Sequence, residues 1–171
     1  PRLASLPPLI TGPMHLHIKP TSRGAIGNLV LRQLRGPEGE LPACNAQIQV
    51  AAVGLNFRDV LNVLGAYPGD PGPPGADCAG ALIAAGAGAT LRCSVGACVV
   101  GLATAPLASV ARGDCRLLVP MEAAFTEACT LPITWSTVHV ALGLAGVRHC
   151  ERLLLHAATG GVGLVAGGAG D

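Results

Sequence analysis

The chain has 171 residues, enough for one domain or for one domain with part of another. Half of them are hydrophobic but only four are aromatic (Phe57, Tyr67, Phe125, Trp135), so a core would rest on small side chains that each bury little area, and modest stability is expected. The net charge is +1, with ten Arg, a single lysine (Lys19) and no basic run, which argues against a nucleic-acid or anionic-membrane surface.

In chain order, residues 1–22 carry several prolines and little periodicity and read as a linker or the tail of a preceding element. Leu29–Leu31 and Ile48–Val53 read as strands separated by the turn-rich Gly36–Glu40. Asn56–Leu64 predicts a short helix with Val60, Leu61 and Leu64 on one side and Gly65 as its stop. Tyr67–Gly75 holds four prolines and can be neither helix nor central strand, so it is a loop with a fixed path. Cys78–Ala85 and Gly96–Leu102 read as further strands, and short strands at this spacing point to a small barrel or sandwich. Past Pro120 the period changes. Ala123–Leu131 and Ile133–Leu144 predict helices, with Thr126, Glu127 and Thr134 near their starts. Arg152–His156 then reads as a buried strand running into Ala157-Ala158-Thr159-Gly160-Gly161-Val162-Gly163, a glycine turn that opens a helix. Such a turn lets backbone approach a dinucleotide pyrophosphate where any Cβ would intrude. The fold class is therefore mixed β and α/β.

Seven cysteines (44, 78, 93, 98, 115, 129, 150) show no C-x-x-C spacing, and no His cluster accompanies them, so buried free thiols are expected and no metal. An odd count without a secretory signal points to a reducing, cytoplasmic compartment. No run matches the roughly 18–20 apolar residues of a bilayer span, so no membrane is expected.

Five blocks resemble, in order, one known family: Arg23-Gly24 with Asn28-Leu29; Gly54-Leu55-Asn56-Phe57-Arg58-Asp59-Val60-Leu61 followed by Gly65-Ala66-Tyr67-Pro68-Gly69; Pro73-Pro74-Gly75 with Asp77-Cys78-Ala79-Gly80; Leu131-Pro132 with Thr137; and His156-Ala157-Ala158 with the glycine turn. The stretch is similar to the enoyl reductase domain of modular polyketide synthases and related fatty acid synthases, in the zinc-independent, quinone-oxidoreductase-like branch of the medium-chain dehydrogenase/reductases. The resemblance implies a GroES-like barrel over residues 23–132 and, over residues 133–171, linking helices with the first strand and glycine turn of an incomplete Rossmann fold. It implies NADPH-dependent reduction of a 2-enoyl thioester carried on the phosphopantetheine arm of an acyl carrier protein, among other synthase domains. By that resemblance Tyr67 is a candidate proton donor at the α-carbon. Asn56 and Asp59 line the nicotinamide and substrate cleft, Thr137 stands near the nicotinamide, and Gly160, Gly161, Val162 and Gly163 form the pyrophosphate turn.

Each of these residues also has a plainer reading. Asn56 and Asp59 are both good helix caps, Tyr67 is a plausible loop anchor, and His139 and His156 read as satisfied core histidines. Gly96-Ala97-Cys98-Val99 departs from the Gly-Asp-Arg-Val usual in the family, and Leu164–Asp171 is glycine-rich and poor for helix. The ribose-binding residue expected about 20 positions past the turn is absent from this sequence, so NADPH rather than NADH follows from the resemblance alone. The alternatives are a non-catalytic remnant of such a synthase, a small-molecule quinone reductase, or a homo-oligomer in which a second copy completes the nucleotide fold.

Overall fold

The computed structural model describes residues 12–34, 40–89, 94–148 and 151–168. Most of the expected linker, the turn at 36–39, Cys93, Cys150 and the last three residues lie outside these.

The centre of the molecule is an antiparallel sheet built on β3 (Asn45–Gly54) and β4 (Asp77–Ala85). The inward positions of β3 near its start, Ala46 and Ile48, have no exposed surface, while Gln49 between turns faces out, the alternation expected of a half-buried strand. Gly80 is needed where the two strands meet, because a Cβ there would lie 2.0 Å from the carbonyl oxygen of Gln49. With β5 (Cys98–Leu102), β6 (Val110–Asp114) and β7 (Leu118–Pro120), the order across the sheet is β6-β3-β4-β5-β7. The sheet is open but curled. Past β5 the Thr104 amide donates to the Arg112 carbonyl at 2.8 Å, so the chain bridges back to β6. Ile48, Cys78, Leu82, Val99, Cys115 and Leu118 fill the interior.

A second sheet pairs β1 (Met14–His17) with β2 (Val30–Gln33). It sits on the 107–109 segment through Leu16 N–H to Leu107 O and Ser109 N–H to Met14 O, both 2.7 Å. Residues 12–22 are thus part of the folded body rather than a linker. Strands β1, β6 and β7 were not expected, since their pairing is nonlocal and their own residues alternate weakly.

Helix α1 (Phe57–Val63) follows β3, and α2 (Phe125–Ala128) is a single turn where a longer helix was expected. Pro132 starts α3 (Pro132–Ala145), and Gly146, at φ +64°, closes it in the left-handed conformation. The run Phe125–Ala145 is, by length and composition alone, apolar enough to cross a membrane, which corrects the expectation that no stretch is. Pro132 divides that run into two helices. The Arg152–His156 strand is not formed, since no strand lies beside it among the described residues to take its amides and carbonyls. The glycine turn that follows does open a helix, α4 (Gly161–Gly168), packed on α3.

Candidate functional site

The first turn of α1 fixes two of the expected residues. Asn56 has extended backbone before the helix, and its N–H donates to Asp59 Oδ2 at 2.9 Å, the return half of a capping box. Asp59 Oδ1 accepts from the Gly75 amide at 2.7 Å. Both oxygens of this buried carboxylate are therefore engaged by backbone, tying α1 to the end of the proline loop. Asp59 positions its neighbours.

The Asn56 side chain turns the other way. Its Nδ2 donates to Asp77 Oδ2 at 2.8 Å, and Asp77 Oδ1 accepts from the Ile133 amide at 2.9 Å. Asp77, 1% exposed, thus joins the starts of α1, β4 and α3. Burial pushes its carboxyl above the usual carboxylate range, against the hydrogen bonds from Asn56 and Ile133, and the charge of Asp59 adds to the rise. Burial, helped by the Asp77 charge, lifts the Cys78 thiol to about 12 and raises that of Cys129, so neither is a ready nucleophile. Sequence reasoning did not assign Asp77 a role. Its signal was a carboxylate opening an otherwise apolar strand directly after a proline-glycine loop.

The loop itself is held from three side chains. Arg58 Nη2 donates to Pro71 O, Asn62 Nδ2 to Gly72 O at 3.0 Å, and Arg23 Nη2 to Gly72 O at 3.3 Å. Tyr67 is half-buried where this loop begins. The Arg58 guanidinium stands 5.7 Å from its ring centroid, a cation–π distance. Tyr67 lines a cavity of about 320 Å³ with Asn62 and Pro71, whereas Asp59 lines an apolar one of about 310 Å³. No hydrogen bond joins Tyr67 to Asn56 or Asp59 among the described residues.

At the other end, the Gly160 amide donates to Ala157 O at 3.0 Å, with Ala157 at φ +53°, and Leu164 N–H donates to Gly160 O at 2.9 Å. A Cβ on Gly163 would lie 2.4 Å from Ala157 O and 2.6 Å from Ala158 Cα, so this position must be glycine for α4 to fold back on the turn. A Cβ on Gly161 would press at 3.2 Å on Thr134 Cγ2, which seats the turn against α3. Gly160, Gly161 and Val162 are exposed, and no acidic residue stands in the first turn of α4. Exposed amides at a helix start with no competing carboxylate fit a pyrophosphate group. Thr134, rather than Thr137, touches the turn; Thr137 is exposed one helical step further on. His139 and His156 are both exposed, not core histidines, because α3 and the 152–156 segment have little packed against them. No group of three His, Cys, Asp or Glu side chains among the described residues could hold a metal ion.

No protein-family model matches the chain. Relatives do. It is 36% identical over 174 residues to the phenolphthiocerol synthesis polyketide synthase type I Pks15/1 of Mycobacterium bovis, covering 97% of this chain and 8% of that protein. It is 37% identical over 170 residues to the erythronolide synthase EryA2 of Saccharopolyspora erythraea, covering 97% of this chain and 5% of that one. Among solved structures, the CurK enoyl reductase superposes with a TM-score of 0.77 at 35% identity, over 90% of this chain and 49% of that chain. A quinone oxidoreductase of Pseudomonas syringae matches with a TM-score of 0.72 at 28% identity, over 90% of this chain and 48% of that one. A mycobacterial protein complexed with NADPH, Rv1454c, matches at 0.73 and 27%, also over 90% of this chain and 48% of that one. The chain thus spans less than a tenth of these synthases and about half of the matching solved chains. By sequence the chain is homologous to part of the polyketide synthases, and by fold it is similar to solved enoyl reductases and quinone oxidoreductases.

Proposed function

We propose that the chain is the barrel-side half of an NADPH-dependent enoyl-thioester reductase domain of a polyketide synthase, acting in the cytoplasm on 2-enoyl chains delivered by an acyl carrier protein. The observation that carries this reading is the Asn56–Asp77–Ile133 relay, which locks the Asn56 side chain to the start of the helix on which the glycine turn is seated. One buried carboxylate sets the substrate-side residues of α1 in register with the turn that would hold the cofactor.

Gly160, Gly161 and Gly163 would form the pyrophosphate turn, the amides of Gly161 and Gly163 as donors and Gly160, whose own amide is taken by Ala157 O, leaving no side chain in the way. When bound, NADPH supplies the hydride that reaches the β-carbon. The resulting enolate requires stabilisation and a proton at the α-carbon. Tyr67 is assigned that proton, its ring held by Arg58 at the mouth of the loop. Asn56 orients the nicotinamide side of the cleft, and Asp59 is a positioning residue that keeps Asn56 and Gly75 in place.

The test is a titration of the chain with NADPH followed by nicotinamide fluorescence, then reduction of a crotonyl thioester. Saturable binding that Gly163→Val abolishes, with turnover that Tyr67→Phe depresses while leaving cofactor binding unchanged, supports the assignment. Turnover unaffected by Tyr67→Phe removes the tyrosine from the chemistry. Absence of saturable NADPH binding overturns cofactor binding by this chain and favours a non-catalytic remnant or a piece that binds only with the rest of the reductase domain.

A further inference from the structure

Among the described residues, four buried side-chain polar atoms have no hydrogen-bond partner: His15 Nδ1, Arg23 Nε, Arg112 Nε and Asn62 Oδ1. Asn62 belongs to the cavity beside Tyr67, which Arg23 also lines. The other three residues all line one larger cavity, of about 570 Å³, between β1, the start of β6 and the proline loop. This space is far from empty of chemistry. Its walls are mainly apolar, with Leu16, Ile18, Leu34, Pro74, Val110 and Ala111 among them.

We propose that this cavity is a binding site for a small organic monocarboxylate, whose head is taken by Arg112, Arg23 and His15 and whose apolar body lies against the β1 and β6 walls. A buried donor without an acceptor costs free energy that a guest oxygen recovers, and two such guanidinium nitrogens on one cavity, Arg23 Nε and Arg112 Nε, ask for an acceptor-rich head, which His15 Nδ1 joins in the tautomer that carries its proton there. The volume falls within the range of small-molecule sites with apolar walls and a few convergent polar groups. Charge decides between heads. Arg23 already faces Asp70 at 3.6 Å, whereas Arg112 has no carboxylate partner among the described residues. Desolvation, together with the charges of Arg32, His15 and Lys19, holds the pKa of His17 below its ordinary value, so His17 is a weaker candidate than the arginines for holding an anion. Of the two arginines on the lining, Arg112 is the one whose guanidinium has no carboxylate facing it among the described residues, a single charge matched by a monoanion and not by a phosphate dianion.

The site is separate from the glycine turn, and its readout needs no nicotinamide, so its failure is distinguishable from failure of the reductase reading. The test is calorimetric titration of the chain with octanoate, with its neutral isostere octanamide, and with inorganic phosphate. Octanoate should bind saturably and at least about tenfold more tightly than octanamide, a factor set by the charge-assisted contacts. Arg112→Gln should weaken octanoate about tenfold and octanamide distinctly less, because the amide loses a neutral hydrogen bond and not a charge-assisted one. The backbone of Arg112 carries the bridge to Thr104, so this substitution spares the pairing. Equal affinity for octanoate and octanamide in the unaltered chain overturns the proposal, and that comparison needs no variant to fold. So do absence of saturable octanoate binding, and tighter binding of phosphate than of octanoate.

Discussion

The sheet and the segment that follows it draw on similar apolar residues and end in opposite states. In the sheet, Ile48, Leu82 and Val99 are completely buried. In α3 and beyond, Trp135 is 58% exposed, Leu144 85% and Leu154 82%, and Val138 is the single buried residue of α3. Five strands surround the first group. The second group has far less: α3 meets α4 and touches β5, and 152–156 pairs with nothing described. Apolar composition is therefore a demand for a partner surface, and the core forms only where the chain brings that surface along. The solved enoyl reductase it matches is about twice its matched length, enough to cover such a face.

This contrast has a direct energetic test. Leu82→Ala removes a fully buried side chain from among Ile48, Val99 and Leu118 and should cost about 2–5 kcal/mol in urea unfolding. Leu144→Ala and Leu154→Ala should fall within about 0.5 kcal/mol of the unaltered chain. Comparable losses at Leu82 and Leu154 would mean that the C-terminal segment has a core in solution that the structure does not show.

A smaller effect lies at the joint between the two regions. Asp77→Ala leaves the Asn56 side-chain amide and the Ile133 N–H without their acceptor, at a cost of about 1–3 kcal/mol. Because Ile133 stands in the first turn of α3, amide hydrogen exchange should quicken there more than in β3 and β4. Uniform protection loss across the sheet would show that Asp77 serves the barrel rather than the joint. Titration sharpens the point. The folded-state pKa of Asp77 is raised, so its contribution is fully present below its ordinary 3.8 and is lost as pH rises through the raised value. Asp114 is held down to about 2 by Arg116, so its contribution is present above 3.8 and is lost as pH falls through about 2. The stability difference between the unaltered chain and Asp77→Asn should therefore grow more favourable to the former on acidification. The difference from Asp114→Asn should do the reverse, and weakly, since that pair is exposed.

The same contrast explains what could be read from the residues alone. Ile48 to Val53, Cys78 to Ala85 and the Asn56 helix start carry local signals, alternation and a cap, and the structure puts strands and a helix there. Strand β6 reads Val-Ala-Arg-Gly-Asp and has no such signal; β3 makes it a strand by pairing Asn45–Gln49 with Val110–Asp114. The run Arg152–Leu155 has the opposite fault, a strong local signal with no neighbour to satisfy it. At the site, glycine 163 was legible because a turn of that type admits no side chain. Asp77 was not, because its importance comes from partners 21 and 56 residues away.

Thiol chemistry gives the mildest test of the comparison, since it perturbs nothing until a reagent enters. Cys78 and Cys115 lie in the sheet interior, and Cys129 is buried where its carbonyl meets Gly54. Cys44 and Cys98 are exposed, at a loop and at the start of β5. Iodoacetamide under native conditions should label Cys44 and Cys98 first, as followed by mass spectrometry of each peptide. Cys78 should stay unlabelled longest, because it is enclosed and its thiol, at about 12, yields almost no thiolate at neutral pH. Cys129 is the discriminating residue: it sits where α2 meets the sheet, so its labelling rate reports how firmly the C-terminal segment is held. If Cys129 labels as slowly as Cys78, the two regions open together as one unit. Labelling close to that of Cys98 would mean that the helices detach while the sheet stays closed, as their sparse packing leads one to expect.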